Sequence, residues 1–443
     1  MDGQIKVNQP LREEAEEPDG PTFELIGKWL DAGRPFARGF WDAVHAREGH
    51  RHRVVVTRPS GELQPVTFFS DRETVLEILN DDRQFLVSEY GRRMRATSGR
   101  FFLGLDGTDH RRERQLSAII PSWNDPTTRP DVERLMAVYQ LAKHTTLAVL
   151  ARLGARTRLA RLTDGTAACR CSLEELLGPV LDACAREFFG VQGPSSFSLL
   201  QWAKEVTGYH FRVHANDNED RACALSASAQ YRSHVLSLLS QLDPHDKQSP
   251  LARSVAGIRK VLDTPHVPAS DDDVARNLVG IITGSLTATA RAFGEGVGLY
   301  GTTQAGSNPA NVWPERPEPR PDAAHPQFPL YDEIIARSLV QARRGGLDTI
   351  YRTYAGPADN RFGLAPGERV VVWVGGALEA EHSDRIFGVG VHKCPGLDMS
   401  KAIMEGMLRA LVTPPPTARP RIVRLDGELR LTFEDPSALE RLR

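Results

Sequence analysis

Strand-like patterns stand at the two ends of this chain and helical spacing fills most of what lies between, so a sheet has to pair segments far apart in sequence. Near the start, Arg53-Val54-Val55-Val56-Thr57, a turn at Pro59-Ser60-Gly61 and Pro65-Val66-Thr67-Phe68-Phe69 read as a hairpin, after which Asp71 caps a helix through Leu79. Late strands are Arg369 to Val374, behind Pro366-Gly367, and Glu428 to Phe433. From about residue 109 to 300 apolar side chains recur at helical intervals, as in Leu135, Val138, Leu141, or Leu173, Leu176, Leu177, Val180, Leu181. Residues 301–329, with seven prolines from Pro309 to Pro329, read as a connection, and the Glu-rich residues 1–20 as a solvated tail. The expected fold is mainly α with a small mixed β-sheet, built as a single domain over residues 21–443.

Composition excludes several classes. At 40% hydrophobic and 25% charged over 443 residues the chain can bury a large core, which rules out disorder for its bulk. Against 57 Asp and Glu stand 55 Lys and Arg, so there is no basic field to hold nucleic acid or an anionic membrane. Five irregularly spaced cysteines do not make a disulfide framework. The acidic start lacks a signal-peptide pattern and no apolar run reaches bilayer length, so a cytoplasmic protein is expected. His45, His50 and His52 have no nearby Cys or acidic ligand and read as a solvated loop; Cys169 and Cys171 are too close together for a zinc knuckle and read as exposed thiols.

The chemistry concentrates in Phe387-Gly388-Val389-Gly390-Val391-His392-Lys393-Cys394-Pro395-Gly396, a glycine-punctuated loop that delivers one cysteine directly before a helix. Pro395 suits the helix start, and Leu397, Ser400, Ile403, Met404, Met407, Leu408 and Leu411 fall on one face of that helix. A thiol beside free backbone N–H groups and Lys393 is favoured as thiolate, which makes Cys394 a ligand or a nucleophile. The glycines allow close approach of something flat and large, such as a planar macrocycle.

This loop resembles the heme-binding loop of the cytochrome P-450 superfamily, whose Phe-x-x-Gly-x-x-x-Cys-x-Gly pattern matches Phe387, Gly390, Cys394 and Gly396. The resemblance implies the fold of that superfamily, heme b (iron protoporphyrin IX) as cofactor, and Cys394 as the axial iron ligand. It extends to His110 and Arg114, at i and i+4 in a segment similar to the family's C helix, and to Arg352 and His392, all of which it implies as contacts to the heme propionates; Gly388 and Gly396 would pack against the ring. The stretch from about 271 to 300, opened by a capping box from Ser270 to Asp273, resembles the I helix, with Gly284 near bound oxygen and either Thr287 or Thr289 as the oxygen-side hydroxyl.

Three departures stand out. Leu286 occupies the place of the acid that usually precedes the threonine, so the proton-delivering acid and alcohol pair is incomplete. The Glu-x-x-Arg pair of the K helix is missing, its nearest counterpart being Gln341 to Arg344. Only twelve residues separate Val374 from Phe387, where the family usually has a longer meander beside the surface that receives an electron donor. The expected function is therefore a heme-thiolate monooxygenase acting on a small organic molecule in specialised metabolism, with a ferredoxin-type partner. Two alternatives stay open: a reductase-independent hydroperoxide isomerase, dehydratase or peroxygenase, to which weaker similarity with the hydroperoxide isomerase domains of fungal fatty-acid oxygenases also points, and a non-catalytic heme-binding or degenerate scaffold.

Overall fold

The alternating residues 51 to 69 pair as the hairpin they predict, with Val54 opposite Val66 and Arg53 opposite Thr67. In the computed structural model, residues 6–8, 44–57, 63–120, 132–164, 171–195, 197–211, 217–264, 268–303, 317–319, 327–342, 349–374, 388–414, 419–425 and 428–432 are described. In chain order the elements begin with β1 (Lys6–Asn8), β2 (Arg51–Thr57), β3 (Leu63–Phe69), α1 (Arg72–Asn80), β4 (Phe85–Leu86), α2 (Ser88–Thr97) and α3 (Gly107–Glu113). The helical middle consists of α4 (Val132–Asp164), β5 (Cys171–Ser172), α5 (Glu174–Phe189), α6 (Ser198–Phe211), α7 (Asp217–Ser240), α8 (Pro250–Leu262), α9 (Asp271–Thr303) and α10 (Pro329–Ala342). The chain closes with β6 (Thr349–Tyr354), β7 (Arg369–Trp373), α11 (Leu397–Val412), β8 (Arg421–Leu425) and β9 (Glu428–Thr432). It divides into two compact units, one of Met1–Gln115, Glu205–Ala229 and Leu339–Cys394, the other of Leu116–Lys204, Gln230–Ser338 and Pro395–Arg443.

The first unit is built on a six-stranded mixed sheet in the order β1-β2-β3-β7-β6-β4. Its parallel pair joins the early strand to the late one, with Phe68 opposite Val371. Lys6–Asn8, inside the stretch read as a solvated tail, pairs with β2. Asp71 caps α1 as its sequence predicts, accepting from the Thr74 N–H at 2.8 Å. Phe69, Val75, Ile78, Leu79, Phe85, Tyr354, Val370 and Val372 form one apolar core. His45 and His50 stack at 4.2 Å, but His52 is buried in β2 rather than solvated, and among the described residues no group of three His, Cys, Asp or Glu could hold a metal ion.

This unit's buried titratable groups make its stability acid-sensitive. Burial, with the nearby charges of Arg47 and Arg93 respectively, pushes His52 and His210 down to about 4. Between the ordinary value of about 6.5 and that figure, the unfolded chain takes up protons that the folded one refuses, so stability falls as pH drops through the window. Glu89 adds a second stage. Burial alone would raise its carboxyl, but the Arg92 hydrogen bond and the charges of Arg369, Arg92 and Arg93 hold it at about 2, so the stability it contributes is complete above its ordinary 4.5 and is lost towards about 2. Chemical denaturation at stepped pH is expected to show a decline that begins near neutrality and continues, more shallowly, below about pH 4, where Glu89 alone carries it. A flat profile down to pH 4 would mean that both histidines are protonated in the fold.

In the second unit α4 and α11 approach closely at Gly406, where a Cβ would collide with the Tyr139 carbonyl oxygen. The apolar spacing of α11 predicts one buried face; residues 402–411 are buried on every side, charged Glu405 and Arg409 included. The capping box opens α9 as expected, with Ser270 and Asp273 each accepting the other's N–H at 3.1 Å. That helix runs to Thr303, three residues into the stretch read as a connection, and α10 starts at its last proline. The final strand does not join the early ones. It forms a separate sheet, β5-β9-β8, because β8 is the strand just before it in the chain and pairs with it antiparallel, Leu425 opposite Glu428. Cys171 is buried in β5 and accepts from Arg156 at 3.2 Å, correcting the expectation of an exposed thiol, whereas Cys169 lies outside the described residues. Among the described residues no helix is long and apolar enough to cross a membrane.

Candidate functional site

The loop ahead of α11 needs its glycines. Gly388 and Gly390 have φ of +80° and +66°, which side chains disfavour, and a Cβ on Gly390 would meet Asn80 Oδ1 at 2.9 Å at the end of α1. Gly390 to His392 then form one tight turn, closed by the Lys393 N–H donating to the Gly390 carbonyl at 3.1 Å. Cys394 comes next as a half-buried thiol outside any disulfide, and Gly396 caps α11, its carbonyl accepting from Ser400 N–H at 2.8 Å. Phe387 and the short segment before it lie outside the described residues.

The first unit gathers the residues expected to face carboxylates. His110, buried on α3, packs against His392 with ring centres 4.2 Å apart and planes tilted by 39°. Arg114, just past α3, donates to the Lys393 carbonyl and lies over the Phe102 ring at 5.9 Å. Arg352, buried on β6, donates from Nη1 to the Tyr351 carbonyl at 2.9 Å. Three buried nitrogens of this group, His110 Nε2, His392 Nε2 and Arg352 Nε, have no hydrogen-bond partner among the described residues. Burial, helped by His392 and Arg114 and opposed by Asp106, pushes His110 down to about 4, and burial also lowers Arg352 against the pull of Tyr90 and Asp106.

Each such orphaned group costs about 1–3 kcal/mol, so the arrangement fits an added anion that accepts from these nitrogens. A heme, with two carboxylates on a flat ring, suits this donor set and the glycine loop beside it. The sequence reading missed Asp106. An aspartate ahead of Gly107 looks like the cap of α3, but it makes no such bond, and both its oxygens accept the Val87 N–H instead, at 3.0 and 3.1 Å.

In the second unit Thr289 is fully buried and its hydroxyl lies 2.8 Å from that of Ser400 on α11. Thr287 is half-buried, as is Gly284, and donates to the Thr283 carbonyl at 2.8 Å; Ser285 donates to the Ile281 carbonyl at 2.9 Å. Leu286, in the place of the acid, is buried. Thr283, which the sequence reading passed over, is 4% exposed and its hydroxyl has no partner among the described residues. Thr283→Val keeps the shape and removes that hydroxyl, so a gain of about 1 kcal/mol in chemical denaturation is expected; a loss would mean that the hydroxyl holds a water.

The Gln341 side chain and Arg344 lie outside the described residues. A buried acid and arginine pair occurs instead on α11, where Glu405 accepts from Arg409 Nε at 2.9 Å and from the Tyr331 N–H at 2.7 Å.

No family model matches this sequence, and no curated protein does. Solved structures do. BioI, a cytochrome P-450 solved in complex with an acyl carrier protein ligated to hexadec-9Z-enoic acid, is 14% identical, with 90% of this chain and 98% of that one covered at a TM-score of 0.61. CxnD, a cytochrome P-450 for C–S bond formation in chuangxinmycin biosynthesis, is 16% identical over 83% and 88% of the two chains, with a TM-score of 0.55. A third, from Novosphingobium aromaticivorans, is 14% identical over 89% and 92%, with a TM-score of 0.54. A predominantly helical chain with a small mixed sheet, matched over most of its length by these structures, has the cytochrome P-450 fold.

Proposed function

We propose that this chain is a heme-thiolate oxidoreductase, a monooxygenase that oxidises a small organic molecule in specialised metabolism, with Cys394 as the iron ligand of heme b. The observation that carries the reading is the trio of buried nitrogens, His110 Nε2, His392 Nε2 and Arg352 Nε, that have no hydrogen-bond partner among the described residues, in the unit whose last residue is the loop cysteine. When bound, a thiolate-ligated heme supplies an oxidising iron centre whose sulfur pushes electron density to favour O–O cleavage.

The chain's own residues would do the rest. Arg352 would present a planar fork to one carboxylate, and His110, Arg114 and His392 would hold the other, fixing the ring's orientation. Gly388 and Gly390 would let backbone lie where a side chain would obstruct it. Thr287, having donated its proton to the Thr283 carbonyl, can only accept a further hydrogen bond, so it orients a protic group rather than supplying one.

That last point favours a second reading, in which the substrate carries its own peroxide bond and no reductase is needed. The stretch from Thr283 to Thr289 has no carboxyl, and the hydroxyls of Ser285, Thr287 and Thr289 are all engaged within the protein. A ferredoxin-type donor belongs to the first reading alone, and both place the enzyme in the cytoplasm. The test is a spectrum of the purified, hemin-supplied protein with dithionite and carbon monoxide, together with turnover assays. A thiolate-type band with turnover that requires reductant and dioxygen supports the monooxygenase, turnover with a lipid hydroperoxide alone supports the second reading, and no heme uptake removes both.

A further inference from the structure

The donors of the first unit face one acid to which the heme-thiolate reading gives no part. Resting on that reading, we propose that Asp106 is a resident counter-anion of the carboxylate cradle, balancing its cations in the cofactor-free chain and opposing the two carboxylates when they enter. Asp106 Oδ1 lies 3.7 Å from His392 Nε2, too far for a hydrogen bond and close enough for a strong field. Its side chain is 20% exposed, so water screens that field only in part. The field also reaches His110 and Arg352, holding both more basic than burial alone would leave them.

The neighbouring acids are committed elsewhere. Glu113 and Asp109 bind Arg100 at 2.8 and 3.0 Å, and Glu89 binds Arg92 and Arg93 at 2.9 and 3.2 Å. Among the described residues the Asp106 oxygens accept only the Val87 N–H, and one neutral acceptor would satisfy that donor. The hydrogen bond therefore explains a polar residue at 106 and leaves the charge unexplained. The buried guanidinium of Arg352, on which the Asp106 field acts, gives that charge a role.

D106N separates the two roles, because asparagine keeps an acceptor for Val87 and loses the charge. Hemin titrated into cofactor-free protein, monitored by its absorbance, is expected to bind D106N about five- to tenfold more tightly than the parent at low salt, the gap closing near 1 M salt. Hemin dimethyl ester, which has no carboxylates, should bind the two alike. Cofactor-free D106N should melt below the parent and regain the difference on adding hemin; a variant that folds only with hemin supports the proposal equally. Equal or weaker hemin binding, a gap that salt or esterification leaves unchanged, or failure to fold even with hemin overturns the proposal. If the parent itself takes up no hemin, it is the heme reading that fails.

Discussion

Replacing Cys394 by serine is expected to erase the thiolate-type carbon monoxide band and to cut turnover by about three orders of magnitude, the scale on which losing a group at the reacting centre acts. Stability should barely change. Cys394 is half-buried and pairs in no disulfide, so exchanging sulfur for oxygen falls among substitutions worth under about 1 kcal/mol. Denaturation midpoints of the cofactor-free proteins should therefore coincide while the spectra differ. A thiolate band that survives in the variant would remove Cys394 from the iron.

The second large effect concerns stability. Glu405 and Arg409 have side chains 0% and 5% exposed, and Glu405 also accepts the backbone N–H of Tyr331 in the first turn of α10. Burial pushes the Glu405 carboxyl up against the pull of these partners, so the ion pair persists through its hydrogen bonds rather than through charge alone. Glu405→Leu leaves a buried guanidinium and an uncapped N–H behind. It is expected to cost about 3–5 kcal/mol in chemical denaturation, whereas Glu405→Gln, whose single amide oxygen still serves one of the two donors, should cost less. Equal costs for the two would show that charge, and not acceptor geometry, holds α10 against α11.

Why the sequence showed the loop around Cys394 and hid the burial of Glu405 comes down to the range of the signals. A left-handed glycine, a proline at a helix start and apolar spacing act within a few residues, so the loop from Gly388 to Gly396 and the helix after it could be read directly. The capping residues Asp71 and Ser270 are local in the same sense. Glu405 and Arg409, four apart, look like an ordinary solvated helical pair, and only packing on every side of α11 makes them a buried one. Asp106 goes unread for a related reason, since its hydrogen-bond partner, Val87, is 19 residues away. Strands β4 and β5, two residues each, are too short to carry a period, and the lack of a partner for the Thr283 hydroxyl depends on a rotamer that spacing does not encode.

The parallel join of β3 to β7 bears on how such a chain is made. The Thr67 hydroxyl donates to Glu368 across 301 residues, and Phe68 finds Val371 as its neighbour over a similar distance. At ordinary rates of translation, on the order of tens of seconds pass between the synthesis of one strand and that of its mate. For that time the nascent hairpin shows the ribosome's surroundings an open row of amides and carbonyls, and its yield in a foreign host should rise with the supply of holdase chaperones.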